Sequence, residues 1–175
     1  MSDIRYPIGK FSFDENVKET EKQQFINEIA DTPAKLRSAV TGLTPAQLDT
    51  AYRPDGWTVR QVVHHLADSH MNSYIRFKLA MTEDEPVIKT YAEDQWAELA
   101  DARSGSIDLS LTLLEVLHER WVLFLKSLKP ADYQRKFRHP ELGVVSLNKS
   151  LALYAWHGKH HIAHITTLRE KERWD

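Results

Sequence analysis

Apolar residues recur at steps of three and four positions in four long stretches of the chain, which is the period of an amphipathic helix. The pattern predicts long helices over residues 18–41, 58–82, 108–127 and 146–171. Thr58 and Gln61 have the spacing of a capping box, and Ser146 is placed to cap the last helix. Because no convincing set of strands competes with these helices, the sequence predicts an all-α fold, a four-helix bundle.

Shorter elements are predicted between the long helices. Thr44 and Pro45 open a short capped helix, and a further short helix is predicted over 93–100 within the connection 83–105. Residues 131–145 include Gly143 and predict a small hairpin before the last helix. Residues 1–17 form an irregular arm, and Pro33 predicts a kink or restart in the first helix. The whole chain, 1–175, is interpreted as a single domain.

The composition narrows the classes of function. The net charge is −2 with acids and bases interspersed, so nucleic acid is not an expected partner. The sequence has no apolar run near eighteen residues and no signal-peptide core at its start, so we expect a cytoplasmic protein without a membrane partner. Cysteine is absent. Any metal ion must therefore be held by imidazole and carboxylate groups.

Histidine is the candidate chemistry, because four of the nine histidines fall between residues 157 and 164. Two pairs, His157 with His161 and His160 with His164, have the four-residue spacing that places side chains on one helix face. At ~100° per residue, His157, His161 and His164 lie on the arc of the helix that faces the core, and His160 falls just outside that arc. Several buried imidazoles cost several kcal/mol unless something binds them, and a metal ion is the usual solution.

A further ligand is expected from the second helix, where the periodicity leaves a choice open. His64 and His65 are adjacent, so a regular helix cannot turn both toward one ion, and the apolar stripe favours neither clearly. His70 lies on the stripe itself, either as a core residue or as a partner of a ligand.

Residues 56–66 (GWTVRQVVHHL), followed about ninety residues later by 157–164 (HGKHHIAH), resemble the DinB/YfiT-like family. The longer string 64–76 (HHLADSHMNSYIR) is similar to its YfiT branch. The resemblance implies a four-helix bundle, a homodimer, and one divalent ion held by His65, His157 and His161. Asp68, one turn beyond His65, is either a partner of a metal-bound imidazole or a solvated surface carboxylate.

Three neutral imidazoles leave an ion with open positions, as in catalytic sites. The ion could activate water for hydrolysis, or bind a thiol as thiolate for transfer to an electrophile. The resemblance implies the same two chemistries, a metal-dependent hydrolase or an S-transferase that uses a small thiol such as bacillithiol or mycothiol. Zinc is expected first, with nickel, iron and copper open. A metal buffer that takes several ions through the last helix is the second hypothesis, and a metal-free proton relay is the third.

Overall fold

The computed structural model describes residues 4–174, and within that range helices account for most of the ordered structure. The α-helices are α1 Glu19–Val40, α2 Pro45–Leu48, α3 Val59–Thr82, α4 Glu93–Trp96, α5 Ala100–Ser104, α6 Ile107–Ser127 and α7 Leu147–Glu172. A 3₁₀ turn, Pro130–Gln134, precedes the antiparallel hairpin of β1 Lys136–His139 and β2 Gly143–Ser146. None of the helices in the described range is both long and apolar enough to cross a membrane.

The four long helices α1, α3, α6 and α7 pack as a bundle, which confirms the predicted fold class. α1 lies between α6 and α7, and α3 packs against the same two helices. The predicted caps are present. The Thr58 hydroxyl accepts the Gln61 N–H at 3.2 Å, the Gln61 side chain accepts the Thr58 N–H at 2.9 Å, and the Ser146 hydroxyl accepts the Lys149 N–H at 3.1 Å.

Two local predictions differ from the structure. The single helix predicted over 93–100 is wrong, since α4 and α5 are separate helices there. The Gln61 side chain donates to the Ala97 carbonyl at 2.8 Å, and a continuous helix would use that carbonyl for its own ladder. The restart predicted as one alternative at Pro33 does not occur either, because α1 runs through this residue as one helix.

Apolar residues form two core clusters, and the buried histidines lie between them. Trp121 and Tyr154 belong to one cluster, and their rings meet His70 edge to face at 6.0 and 5.2 Å. Trp57 packs against the other cluster and lies 4.6 Å from the ring of His65. The candidate site therefore sits in the middle of the bundle, within reach of three of its four helices.

Gly158 allows α7 to approach α1 closely beside the histidines. A Cβ added at Gly158 would lie 2.7 Å from Oγ1 and 2.9 Å from Cγ2 of Thr32, a side chain that is itself buried. Gly158→Ala should therefore lower the free energy of unfolding by about 1–2 kcal/mol, since overpacking costs ~1–3 kcal/mol and the gain in helix propensity is at most ~1. Urea denaturation measures the change.

The matched control is the double variant Thr32→Ala/Gly158→Ala, in which the obstructing side chain is gone. It should recover most of the stability lost by Gly158→Ala alone. A single Gly158→Ala variant as stable as the parent would show that α1 and α7 separate without cost at this point.

Candidate metal centre

The side chains of His65 on α3 and of His157 and His161 on α7 converge at the helix–helix contact. Nε2 of His65 lies 3.3 Å from Nε2 of His157, and the His161 ring lies 4.7 and 4.5 Å from the other two. One ring nitrogen of each residue falls within 4.8 Å of those of the other two. The structure thus brings together all three residues that the resemblance implied as ligands.

These three imidazoles fit a divalent ion. Two nitrogens bound to a tetrahedral zinc ion at ~2.1 Å stand ~3.4 Å apart, close to the 3.3 Å between His65 and His157. Burial, with a smaller contribution from His160, lowers the pKa of His65 to about 4. Burial also lowers the pKa values of His157 and His161 well below the usual range. All three rings are therefore neutral near pH 7, which is the form that binds metal.

The open choice between His64 and His65 depends on how α3 is rotated in the bundle. His64 faces α6 rather than α7, with Nδ1 2.7 Å from the Ser110 hydroxyl and Nε2 3.2 Å from the Gly105 carbonyl. Its two nitrogens therefore contact Ser110 on α6 and Gly105, which lies between α5 and α6. His65 alone of the pair points toward α7.

A second group of three histidines, made of His160, His161 and His164, lies along α7. One ring nitrogen of each again falls within 4.8 Å of the others. The Nδ1 atoms of all three are buried without a hydrogen-bond partner. The group shares His161 with the first set, but all of its members come from a single helix.

His160, which was expected just outside the inward arc, is nevertheless only 7% exposed. The N-terminal arm covers it, with the Tyr6 ring 5.9 Å away, and Trp156 stacks on it at 4.3 Å. The arm also reaches His164, whose Nε2 lies 3.2 Å from the Arg5 carbonyl. Helical periodicity cannot reveal a cover that another part of the chain supplies.

Among the three candidate ligands, His157 has a hydrogen-bond partner on the ring nitrogen that faces away from His65. Its Nδ1 lies 3.1 Å from Nε2 of His70, whose Nδ1 lies 2.8 Å from Nε2 of His118. Nδ1 of His118 lies 2.6 Å from the Ile29 carbonyl. The sequence analysis left His70 undecided and missed His118. The position of His118, four residues after Leu114 and three before Trp121 on the buried stripe of α6, is the signal that could have identified it as buried, though not its role.

Asp68 does not join this network. Within residues 4–174 its carboxylate makes no hydrogen bond to a histidine, and His70 occupies the nitrogen of His157 that a partner would bind. Burial and the nearby Asp101 raise the pKa of Asp68 to about 6. Asp68 is thus neither bonded to a candidate ligand nor fully solvated.

A cavity of about 420 Å³ opens onto the three candidate ligands. Aromatic, charged and further histidine side chains line the rest of it: Tyr6, Tyr52, Trp57, Trp156, Arg5, Arg53, Asp55, Glu93, Asp94, His160 and His164. A small substrate could reach an ion in this cavity without displacing a helix.

Comparison with known proteins supports the fold. The family model described as the DinB superfamily matches residues 28–165. A protein from Bacillus mycoides strain KBAB4 is 55% identical over 99% of this chain and 100% of its own length, and one from Oceanobacillus iheyensis is 54% identical over 97% and 98%. Both carry the provisional name metal-dependent hydrolase.

Among solved structures, YfiT from Bacillus subtilis superposes with a TM-score of 0.96 at 48% identity, over 98% of this chain and 99% of its own. It is described as a probable metal-dependent hydrolase with an unusual four-helix bundle topology.

Proposed function

The chain belongs to the DinB superfamily, and we propose that it is a metal-dependent hydrolase with one divalent ion held by His65, His157 and His161. The observation that carries the proposal is the convergence of three neutral imidazoles from two helices on an open cavity. Structural zinc sites are usually closed by four protein ligands, whereas three ligands and an open position are typical of catalytic sites.

The chain's own residues prepare the site for hydrolysis. A divalent ion bound here would supply Lewis acidity and would lower the pKa of a water molecule bound to it to about 7. Because all three ligands are uncharged, they leave the full charge of the ion available. The Trp57 ring, 4.6 Å from His65, shields one side of the site from bulk water. We propose zinc as the physiological metal, with nickel and iron as the alternatives that imidazole ligands also suit.

The test of the proposed function compares two chemistries on the same preparation. The protein, purified without an affinity tag, is stripped with a chelator and reconstituted separately with zinc, nickel or iron. Each form is assayed on carboxylic esters, amides and phosphate esters, and in parallel with small thiols and an electrophile. His161→Ala and free metal at the same concentration are the controls.

We expect hydrolysis of at least one ester or amide class that requires about one ion per chain and is absent from His161→Ala. Turnover that does not exceed the free-metal control for any bond class would contradict a hydrolase. Consumption of the electrophile only in the presence of a thiol would instead establish an S-transferase at the same site.

We also propose that the protein is a homodimer, with the outer face of α6 as the contact. Exposed aliphatic side chains form a stripe along this face: Leu109, Leu113, Val116 and Leu123. Leu109 and Leu123 are each 71% exposed, and apolar area of this kind on one face is typical of protein–protein contacts.

Light scattering should give the parent protein about twice the mass of one chain, and Leu113→Glu should give a monomer, because an unpaired charge would be buried at the contact. The matched control is Leu142→Glu, at an exposed position in the hairpin turn away from α6. A dimer that tolerates Leu113→Glu would place the contact elsewhere.

A further inference from the structure

We infer that His70 and His118 are positioning residues. Together they fix the tautomer of His157 through a series of hydrogen bonds that ends at one backbone carbonyl. The inference rests on the proposed role of His157 as a metal ligand. It assigns a task to two buried histidines that neither touch the cavity nor bind the ion.

The donor and acceptor roles in this series of hydrogen bonds follow from the Ile29 carbonyl at its end. The Ile29 carbonyl can only accept a hydrogen bond, so Nδ1 of His118, 2.6 Å away, must carry the hydrogen. A neutral imidazole has one N–H, so Nε2 of His118 is an acceptor. His70 must then donate to it from Nδ1 across 2.8 Å.

The same argument continues toward the cavity. With its hydrogen on Nδ1, His70 accepts at Nε2, and His157 donates to it from Nδ1 across 3.1 Å. Three contacts need three hydrogens, and three neutral rings carry three. Nε2 of His157 is left with a lone pair, directed toward Nε2 of His65 at 3.3 Å, where an ion would bind.

The middle ring of the chain is held rigidly. His70 is fully buried, its ring plane is within 15° of that of His118, and it is met edge to face by Trp121 at 6.0 Å and Tyr154 at 5.2 Å. An imidazole that cannot turn offers its acceptor in one direction only. His157 is therefore oriented for the ion before the ion arrives, which avoids the cost of ordering its ring on binding.

Among the residues that the structure describes, only His157 of the three candidate ligands has such support. Nδ1 of His161 is buried without a hydrogen-bond partner. Breaking this series of hydrogen bonds should therefore weaken binding of the ion without changing its stoichiometry, because all three candidate ligands remain. Partners of this kind typically change metal affinity ~10–100-fold.

The experiment compares two substitutions at the middle position. His70→Gln keeps a carbonyl oxygen that can accept from His157, whereas His70→Leu fills similar space with no acceptor. His118→Gln and His118→Leu form the same pair one step further from the site. Zinc affinity is measured by competition with a chromogenic chelator, and the tautomer of His157 by nitrogen-15 NMR of the metal-free protein.

We expect the parent to show His157 with its hydrogen on Nδ1, and His70→Leu to bind one zinc ion ~10–100-fold more weakly. His70→Gln should stay within about threefold of the parent, which a purely space-filling role for His70 would not predict. Leucine variants with parental affinity, or His157 with its hydrogen on Nε2, would overturn the inference.

The NMR measurement does not depend on the folding of the leucine variants or on the proposed function. The NMR readout uses the unsubstituted protein, so it stands even if a leucine variant fails to fold. It also needs neither metal nor turnover. A parent protein that binds no zinc would defeat the proposed function, while the tautomer of His157 would still decide the direction of the chain.

Discussion

Replacing His65 with alanine should leave the purified protein without its divalent ion, whereas His164→Ala should retain about one ion per chain. The pair is matched because each residue belongs to only one of the two histidine groups, and His161 belongs to both. We place the ion in the group that contains His65 because its ligands come from two helices, as in other bundle sites, and because His157 is oriented by His70.

Elemental analysis after tag-free purification gives the stoichiometry directly. Urea denaturation gives a second readout, because an ion that binds only the folded state stabilises it by ~4 kcal/mol at a free concentration 1,000 times its dissociation constant. That increment should be absent from His65→Ala and present in His164→Ala. His64→Ala should also keep the ion, despite losing its contacts with Ser110 and Gly105.

Other patterns would identify other arrangements. Loss of the ion from His164→Ala but not from His65→Ala would move the site to the second group on α7. Several ions per chain that no single substitution removes would indicate a metal buffer, the second hypothesis drawn from the sequence. Either result would remove the basis for a mononuclear catalytic site.

The predictable part of this fold is the part encoded locally. The side chains of Thr58 and Ser146 cap their own helices through residues three positions away, so sequence spacing alone locates both helix starts. Helical period likewise predicts which faces of α1, α3, α6 and α7 are apolar, and hence the bundle.

The choice between His64 and His65 could not be made locally. The two side chains differ by ~100° in direction, and the rotation of α3 about its axis decides which one meets α7. That rotation is set by packing along the whole helix. The family resemblance supplied what periodicity could not.

Long-range contacts account for the features that the sequence analysis missed. The Ala97 carbonyl is taken by Gln61, 36 positions earlier, and the cover on His160 comes from Tyr6 at the other end of the chain. His118 is the clearest case. Alone on its helix it is indistinguishable from an ordinary core histidine, and only its contacts with His70 and Ile29 show its place in a chain of donors.

The same buried histidines should make the metal-free protein sensitive to acid. Burial lowers the pKa of His118 and of His65 to about 4, whereas the unfolded chain binds these protons near pH 6.5. Between those two values the unfolded state holds more protons than the folded state. The free energy of unfolding must therefore fall as the pH drops through this range, and this contribution levels off below pH ~4.

The expected loss is large compared with the stability of a domain. Two such histidines remove about 3–4 kcal/mol between pH 7 and pH 5, out of a typical total of ~5–15 kcal/mol. His70, His157 and His161, whose pKa values are lowered further, act in the same direction. Asp68 opposes them, because its pKa is raised to about 6 and the folded state keeps its proton. The histidines outnumber it, so the net effect is a loss.

Urea denaturation at a series of pH values measures this dependence, and we expect the free energy of unfolding to fall by at least ~3 kcal/mol from pH 7 to pH 5. His118→Gln is the matched variant, since it removes one titrating ring and keeps an acceptor for His70. Its slope should be smaller by about 1.4 kcal/mol per pH unit, the value of one proton.

Saturating zinc should shift the acid midpoint of the parent to lower pH, because the ion binds only neutral imidazoles. A stability that stays constant within ~1 kcal/mol over this range would mean that the buried rings gain their protons at the same pH in the folded and unfolded states, which would contradict the lowered pKa values.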